Sequence, residues 1–386
     1  MMVLGIDAFN IKDGGGVTHI VEMLRVAQPK EFGFNKVIIW GDKKLLSQID
    51  ERNWLKKNHK NILEKNLIFR LFWHLFLVKK EALNYKCNVL FCPGGVSRSS
   101  FQPSVTMSRN LLPFEWKEML RYGFSFMTFK LFFIRISQKK SFKNADGVIF
   151  LTNYARDIVT KVVKIKNDNI ALIPHGVKSV ISDSTHSNSL CFDKKKYNLI
   201  YVSDIRPYKH HINVVNAVFN LRAKGYSISI DFIGGGGKGI NKFISLLQKI
   251  DPKNKNFKYH GKINRHEMEK FYKNSDICLF ASSCENMPNI LLEAMTSNRP
   301  VVCSNRGPMP EILGNAGVYF NPEKVDEIEV AISDVINDIE LQKNMIKKGN
   351  QKVQSFTWTK CSNQTFAFLK KIALENKINY NVKEKI

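Results

Sequence analysis

Two carboxylates eight positions apart, Glu285 and Glu293, lie in the segment with the clearest chemical potential, residues 277–303. The segment begins with a short apolar run, which is typical of a strand buried on both faces. A polar turn with Glu285 follows, and Pro288 suits the first turn of a helix. Ionised carboxylates accept hydrogen bonds from hydroxyl groups. The segment therefore predicts a strand, loop and helix with two carboxylates for a sugar or ribose; two solvated surface glutamates are the alternative.

The start of this helix is a predicted anion site. Ligands of open α/β sheets bind at the carboxyl ends of strands. A helix N-terminus there presents free N–H groups and the positive end of the helix dipole. We expect free N–H groups at Asn289, Ile290 and Leu291, with Met287 and Pro288 just before them. A diphosphate fits this arrangement.

Other loops of the second half also suit a phosphorylated ligand. Residues 204–211 follow a predicted strand and contain Arg206 and Lys209, and a lysine binds phosphate as a point charge. Residues 234–239 satisfy G-x-G-x-x-G, but they follow a second strand and lack an acidic residue at the required distance. We therefore reject a dehydrogenase and interpret the glycines as a turn that lets backbone approach a nucleotide.

The first half opens as an α/β domain does. A strand over 3–7 precedes a glycine-rich turn at 13–17, which includes Gly15 and Gly16, and a helix is predicted over 20–27. Glycines without side chains permit close approach of a ligand. A glycine-rich turn without a ligand is the alternative interpretation.

The composition indicates a globular chain that binds anionic partners. The 386 residues suffice for two domains, 44% are hydrophobic, and the formal net charge is +25. The seven cysteines form no C-x-x-C pair, which favours reduced thiols in the cytoplasm over a zinc site. No signal peptide or run long enough to span a bilayer is predicted.

Two basic, aromatic segments, 60–80 and 113–143, are predicted to be helical. Large apolar side chains mixed with Lys and Arg are typical of helices in an anionic membrane interface, while a core-facing amphipathic helix is the alternative. The predicted boundaries are an N-terminal domain over 1–180, a Ser-rich linker over 181–196, a C-terminal domain over 197–355, and a last helix and tail over 356–386.

The spacing of the two glutamates within ENMPNILLEAMTSNRPVV resembles the donor-site signature of the family 4 retaining glycosyltransferases. The resemblance covers most of residues 1–360 and is strongest over 197–322. It implies an α/β chain with the GT-B fold, in which two Rossmann-like domains have parallel sheets facing a central cleft. The N-terminal domain would bind the acceptor, the C-terminal domain would bind the nucleotide sugar, and the last helix would cross back to the first domain.

The family pattern also implies roles for individual residues. Glu285 would bind hydroxyls of the donor sugar, Glu293 would bind the ribose, and Lys209 would bind the diphosphate, so that Lys209 and Glu285 are the candidate catalytic residues. Asp204 occupies the usual position of a second basic residue, and Arg206 could supply that charge instead.

Further contacts follow from the same pattern. Gly15 and Gly16 would lie near both substrates, Lys262 near the base, and the backbone of 287–289 near the sugar. Family members often carry a histidine after the strand at 104–107, where this chain has Ser108 and Arg109. Arg109 and Asn110 are therefore candidates for acceptor contact.

The implied reaction moves a hexosyl unit from a GDP- or UDP-linked sugar to a hydroxyl of a glycan or lipid-linked glycan during surface polysaccharide assembly. No metal or other cofactor is expected, and the chain has no D-x-D pair. A cytoplasmic enzyme, peripheral at the inner face of a membrane, is predicted, without a nucleic-acid partner. A nucleotide-sugar epimerase of GT-B fold is one alternative, and a basic nucleic-acid- or membrane-binding protein without catalysis is another.

Overall fold

The computed structural model describes residues 1–166, 169–178 and 196–383, except for the side chains of 67, 265 and 377–383. The predicted linker, apart from residue 196, lies outside the described residues. The chain divides into two compact units. Unit 1 comprises 1–114, 129–176 and 356–386, and unit 2 comprises 115–128 and 177–355.

Unit 1 is built on a seven-stranded sheet in which every neighbouring pair is parallel, with the order β3-β2-β1-β4-β5-β6-β7. Its strands are β1 Met2–Asp7, β2 Phe34–Gly41, β3 Leu55–His59, β4 Val89–Cys92, β5 Ser104–Met107, β6 Gly147–Phe150 and β7 Ile170–Leu172.

The helices are numbered in chain order through the whole molecule, and most helices of unit 1 lie between its strands. The helices of unit 1 are α1 Gly14–Arg25, α2 Lys43–Leu46, α3 Leu67–Phe72, α4 Val78–Asn84, α6 Phe126–Asn144, α7 Asn153–Thr160 and α15 Trp358–Lys383, and α6 starts in unit 2. The last helix packs on the sheet of unit 1, since a Cβ at Gly147 would lie 2.9 Å from the Phe368 ring.

Unit 2 contains a six-stranded parallel sheet with the order β10-β9-β8-β11-β12-β13. The strands are β8 Tyr197–Val202, β9 Ile228–Ile233, β10 Phe257–Tyr259, β11 Ile277–Phe280, β12 Val301–Ser304 and β13 Gly317–Phe320. The helices are α5 Trp116–Leu120, α8 His211–Ala223, α9 Ile240–Ile250, α10 Arg265–Asn274, α11 Asn289–Met295, α12 Met309–Leu313, α13 Val325–Asn337 and α14 Ile339–Val353.

The sheet of unit 2 reverses its strand order between β8 and β11. Ligand sites of doubly wound sheets lie at such a switch point, beyond the carboxyl ends of the two strands. Both strands are almost entirely buried, as their apolar sequences predict. The loops that leave β8 and β11 are therefore the place where unit 2 should bind a ligand.

The structure differs from the sequence-based expectation in three helical regions. The glycines at 14–16 form the first turn of α1 and not a turn before it. Segment 113–143 is not one helix, because Gly123 in the left-handed region (φ 62°) lies between α5 and α6. A π-helical turn at Trp73–Leu77 separates α3 from α4 within the predicted 60–80 helix.

The contact pattern also differs from the predicted domain boundaries at two places. Residues 115–128 and 177–178 are predicted to belong to the N-terminal domain, whereas they belong to unit 2. The chain leaves unit 1 after Phe114 and returns at Phe129.

No helix among the described residues has the length and apolarity needed to cross a membrane.

Candidate functional site

The two loops at the switch point of unit 2 bring Lys209 and Glu285 into contact, although 76 residues separate them. Lys209 lies in the loop after β8, and Glu285 lies in the loop after β11. The Nζ of Lys209 donates to Oε1 of Glu285, and the two side chains are 12% and 17% exposed. The predicted catalytic residues therefore form a salt bridge that is largely, but not fully, shielded from water.

Aromatic rings surround the Lys209 ammonium. Its Nζ lies 5.5 Å from the centroid of the Tyr208 ring and 5.4 Å from that of Phe280, within the range of cation–π attraction. The hydroxyl of Tyr201 donates to the Lys209 carbonyl at 2.6 Å. These contacts hold both the backbone and the charged end of Lys209 in place.

Arg206 and Asp204 lie on the same loop. The Arg206 guanidinium lies 3.6 Å from the Asp204 carboxylate, and its side chain is 38% exposed. Burial raises the pKa of Tyr208, the charge of Glu285 raises it further, and Arg206 opposes this rise. The charges of Arg206 and Glu285 therefore both affect the pKa of the Tyr208 phenol, in opposite directions. The Arg206 side chain is accessible to a ligand.

The glycine loop after β9 packs against the loop after β8. A Cβ at Gly234 would lie 2.0 Å from the Ser203 carbonyl oxygen, and one at Gly237 would lie 2.5 Å from that of Ile205. Asp204 accepts from the Gly235 N–H at 2.9 Å. The sequence predicts that these glycines let a nucleotide approach, whereas at Gly234 and Gly237 the neighbouring loop itself excludes a side chain.

The N-terminus of α11 has fewer free donors than predicted. The Leu291 N–H donates to the Pro288 carbonyl at 3.1 Å, which corrects the expectation that this group is free. Among the described residues, no partner is seen for the N–H groups of Asn289 and Ile290. Met287 is buried, as is Pro288, whereas Ile290 is half-buried. Two donors remain at the position predicted for an anion.

Glu293 lies one turn into α11 and is half-buried. Burial raises the pKa of Tyr272, and the nearby charge of Glu293 raises it further. Lys262 follows β10 and is exposed, next to Gly261 in the left-handed region (φ 66°). The Gly261 carbonyl accepts from the Gly234 N–H at 2.8 Å, which connects the turn of Lys262 to the glycine loop.

A polar network that the sequence does not indicate lies beside the Lys209–Glu285 pair. The Ser283 hydroxyl donates to Glu118 of α5 and lies 2.9 Å from Nε2 of His210. Burial, together with the charge of Arg121, lowers the pKa of His210 to about 4. No sequence motif marks these residues, because the contact joins Glu118 to loops that follow it by about 90 to 165 positions.

The residues predicted in the first half lie in unit 1. A Cβ on Gly16 would lie 3.1 Å from Nη1 of Arg109, so these two predicted residues are neighbours, while Gly15 is exposed on the same turn. Burial lowers the pKa of Arg109 to about 10, and no hydrogen-bond partner of its Nη1 is seen among the described residues. Asn110 is exposed, and its side chain accepts from the Leu112 N–H at 3.2 Å.

Two buried histidines adjoin Arg109. Nδ1 of His19 lies 2.9 Å from Nδ1 of His175. Burial lowers the pKa of both rings, and the charge of Arg109 contributes to both shifts. The His175 pKa falls to about 3. Both imidazoles are therefore neutral at physiological pH, and Arg109 is the cationic member of this group.

Comparison with known proteins relates the second half of the chain to a protein family. A family model described as Glycosyl transferases group 1 matches residues 182–352. The O-antigen chain mannosyltransferase B of Escherichia coli is 30% identical over 108 residues, which is 28% of this chain and 28% of that protein. The matched stretch thus spans little more than a quarter of this relative.

Solved structures match over nearly the whole chain. The sucrose-phosphate synthase of Thermosynechococcus elongatus aligns with a TM-score of 0.71 at 16% identity and covers 100% of both chains. The Anabaena protein HepE, in complex with UDP and glucose, aligns with a TM-score of 0.68 at 13% identity over 96% of this chain and 100% of its own. These likenesses concern the fold. Together with the match over residues 182–352, they show that the chain has the GT-B fold and that this stretch is similar to the glycosyl transferases group 1 family.

Proposed function

We propose that this protein is a retaining hexosyltransferase. It moves a hexosyl unit from a GDP- or UDP-linked sugar to a hydroxyl of a glycan or lipid-linked glycan in surface polysaccharide assembly. The family match supports glycosyl transfer. The name of the Escherichia coli relative supports a glycan acceptor, and the UDP bound to HepE supports a nucleotide-sugar donor.

The observation that carries this proposal is the contact of Lys209 with Glu285 at the switch point of unit 2. In the proposed reaction, negative charge develops on the departing diphosphate. Lys209, assisted by Arg206 and by the N–H groups of Asn289 and Ile290, stabilises that charge. A preorganised donor of this kind contributes about 2.7–4 kcal/mol to lowering a barrier.

The carboxylates provide recognition in this proposal. Glu285 accepts from hydroxyls of the donor sugar, and Glu293 accepts from the ribose, because an ionised carboxylate is purely an acceptor. The chemistry needs no metal, since the charges that a metal would neutralise are met by Lys209 and backbone dipoles. Arg109 and Asn110 of unit 1 are proposed to contact the acceptor, and Gly15 and Gly16 to lie near both substrates.

The reaction is tested by incubating the protein with a panel of GDP- and UDP-sugars and glycan acceptors, with and without EDTA. We expect transfer that EDTA leaves unchanged and a product of the same anomeric configuration as the donor. Lys209→Met and Glu285→Gln should lower kcat/KM by about 100-fold or more. The matched control is Glu340→Gln, an exposed helical glutamate paired with a lysine.

Three results would contradict the proposal. Conversion of the nucleotide sugar without an acceptor would favour an epimerase. Binding of random DNA without binding of any nucleotide sugar would favour a nucleic-acid-binding protein. Full activity in both variants would remove Lys209 and Glu285 from the mechanism.

We further propose that the enzyme works on an anionic membrane surface on the cytoplasmic side. The supporting feature is a set of exposed apolar side chains on two helical segments of unit 1, here called the aromatic surface. It comprises Ile68, Phe69, Phe72 and Phe76 on the first segment and Phe129, Phe132, Phe133 and Ile136 on the second.

The two segments are held beside each other. The Arg98 N–H donates to Nε2 of the buried His74 at 2.7 Å, and the Arg98 guanidinium donates to Ser137 of α6 at 2.6 Å. His74 is fixed in turn by Asp7, whose Oδ2 lies 2.5 Å from Nδ1. The π-helical turn thus directs His74 into the core while its neighbours Phe72 and Phe76 stay exposed.

Charge complementarity supports an anionic lipid surface as the partner. No Asp or Glu occurs within 65–80 or 126–144, whereas both segments contain Lys and Arg. Phe129, Phe133 and Ile136 share a helical face with Lys140, as their spacing by three, four and seven positions requires. Apolar side chains flanked by cations are suited to insertion among anionic headgroups, where each cation contributes about 1 kcal/mol.

Sedimentation with lipid vesicles tests the proposed binding to an anionic membrane. We expect binding to phosphatidylcholine vesicles with about a third phosphatidylglycerol, and about tenfold weaker binding to phosphatidylcholine alone. The Phe72→Ser, Phe133→Ser double variant should bind at least tenfold more weakly than the wild type, whereas the control Phe219→Ser, on an exposed site of α8, should not. Equal binding by both variants would contradict the assignment of the aromatic surface.

A further inference from the structure

Segment 115–128, which the chain inserts into unit 2, contacts the loops of the candidate site at several points. Glu118 accepts from the Ser283 hydroxyl, Arg121 pairs with Glu323, and the Tyr122 carbonyl accepts from Lys238 of the glycine loop. Glu118 is 8% exposed, so its carboxylate is enclosed. Glu118 lies far from both site loops in the sequence, so the sequence does not predict these contacts.

Ser283 connects the loops that carry the two catalytic candidates. It is two positions before Glu285, and its N–H donates to the Tyr208 carbonyl at 2.8 Å, directly before Lys209. A serine hydroxyl has a single proton, and two groups accept from the hydroxyl of Ser283, the Glu118 carboxylate and, at 3.2 Å, the Tyr208 carbonyl. His210 must therefore carry its proton on Nε2 and donate it to the Ser283 oxygen at 2.9 Å.

Arg121 completes the network by orienting the carboxylate of Glu118. Its Nε lies 2.7 Å from Oε2 and its Nη2 lies 3.2 Å from Oε1, which is a bidentate pair of fixed geometry. His210 itself has a left-handed backbone (φ 50°), which is rare for a residue other than glycine. The network thus holds an unusual backbone conformation in the residue that follows Lys209.

We propose that Glu118 is a positioning residue for the nucleotide-sugar site, acting through Ser283 and His210 to fix Lys209 and Glu285. The inference rests on the proposed function and adds a residue that the family signature of the donor loop does not contain. Glu118 does not contact the substrate in this account. It controls the distance between the two loops that do.

Two measurements test this inference, and the first needs no activity. Hydrogen exchange followed by mass spectrometry compares the wild type with Glu118→Gln. We expect faster exchange in peptides covering 206–211 and 281–287 and unchanged exchange in the sheet of unit 1. The control Glu340→Gln removes a charge of the same type from an exposed helix and should leave all these peptides unchanged. Unchanged exchange in the Glu118 variant would overturn the proposal.

The second measurement is a double-mutant cycle on kcat/KM for the nucleotide sugar. Glu118→Gln and Ser283→Ala should each lower it about 10- to 100-fold, since small misplacements of catalytic groups have effects of this size. The double variant should fall no more than about threefold below the poorer single variant, because both act through one contact. Fully additive losses, or a Glu118→Gln variant as active as the wild type, would overturn the inference.

The two arms separate this inference from the proposed reaction. Wild-type protein that transfers no sugar contradicts the proposed function, and the exchange arm still decides whether Glu118 holds the two loops. Altered exchange with unaltered kcat/KM contradicts the positioning role and leaves the proposed reaction standing.

Discussion

Replacing Glu285 with Gln should have opposite effects on product binding and on sugar transfer. The Lys209 ammonium is engaged by the carboxylate of Glu285. A nucleoside diphosphate must therefore compete with the carboxylate for the ammonium. Glutamine removes this competing charge while keeping the size of the side chain, so the nucleoside diphosphate should bind more tightly to Glu285→Gln than to the wild type.

The size of the effect follows from the exposure of the pair. Two unit charges about 4 Å apart attract by about 4 kcal/mol at an effective dielectric constant of 20, and fully exposed pairs contribute at most about 1 kcal/mol. The side chains are 12% and 17% exposed, and water therefore screens part of the attraction. We expect about 1.4 kcal/mol, which is a tenfold lower Kd for UDP or GDP.

Titration calorimetry measures this Kd, and a transfer assay with the same preparation measures kcat/KM. Glu285→Gln should bind the nucleoside diphosphate about tenfold more tightly while its kcat/KM falls about 100-fold or more, because the hydroxyls of the sugar exchange an ionised acceptor for a neutral amide oxygen. Lys209→Met should weaken binding of the same ligand, and the double variant should not regain it. Unchanged or weaker binding by Glu285→Gln would refute the reasoning.

Three other expectations concern the framework around the pair. Gly234→Ala should lower the free energy of unfolding by about 1–3 kcal/mol in urea titrations, because its Cβ would collide with the Ser203 carbonyl; equal stability would show that the loop moves freely. Burial lowers the pKa of His211 to about 3, below the value of about 6.5 in an unfolded chain, so its contribution to stability is present above pH 6.5 and is lost as the pH falls toward 3. When the pH falls from 7 to 5, the free energy of unfolding of His211→Phe should decrease by about 2 kcal/mol less than that of the wild type. The same pH dependence in both proteins would contradict this role of His211. Lys262→Ala should change the KM for the nucleotide sugar less than about threefold, since this exposed side chain is expected to leave contact with the base to the backbone; a KM raised more than tenfold would assign the side chain a direct role.

The elements that frame the candidate site were predictable because they are local. Residues 277–303 fold as β11, loop, α11 and β12, as the sequence predicted. Strands buried on both faces appear as uninterrupted apolar runs, and Pro288 marks the start of a helix. The structural likeness confirms the fold that the resemblance implied, and the family match over residues 182–352 agrees with the resemblance in the second half of the chain.

Other parts depend on contacts that have no local signal. The edge strand β3 has the sequence LKKNH. An edge strand is covered on fewer sides and can carry polar residues, so the apolar pattern that predicts a buried strand is missing here. The proximity of Gly16 and Arg109 arises only when α1 and the loop after β5 pack together. The insertion of residues 115–128 into unit 2 is likewise a long-range event, because it joins Glu118 to Ser283.

A crystal structure with the bound nucleotide sugar tests the central claim most directly. The account predicts the diphosphate within about 3 Å of the Lys209 ammonium, hydroxyls of the sugar on Glu285, and the ribose on Glu293. The salt bridge between Lys209 and Glu285 should be broken in that complex. A nucleotide sugar bound elsewhere in the molecule, with this salt bridge intact, would contradict the account.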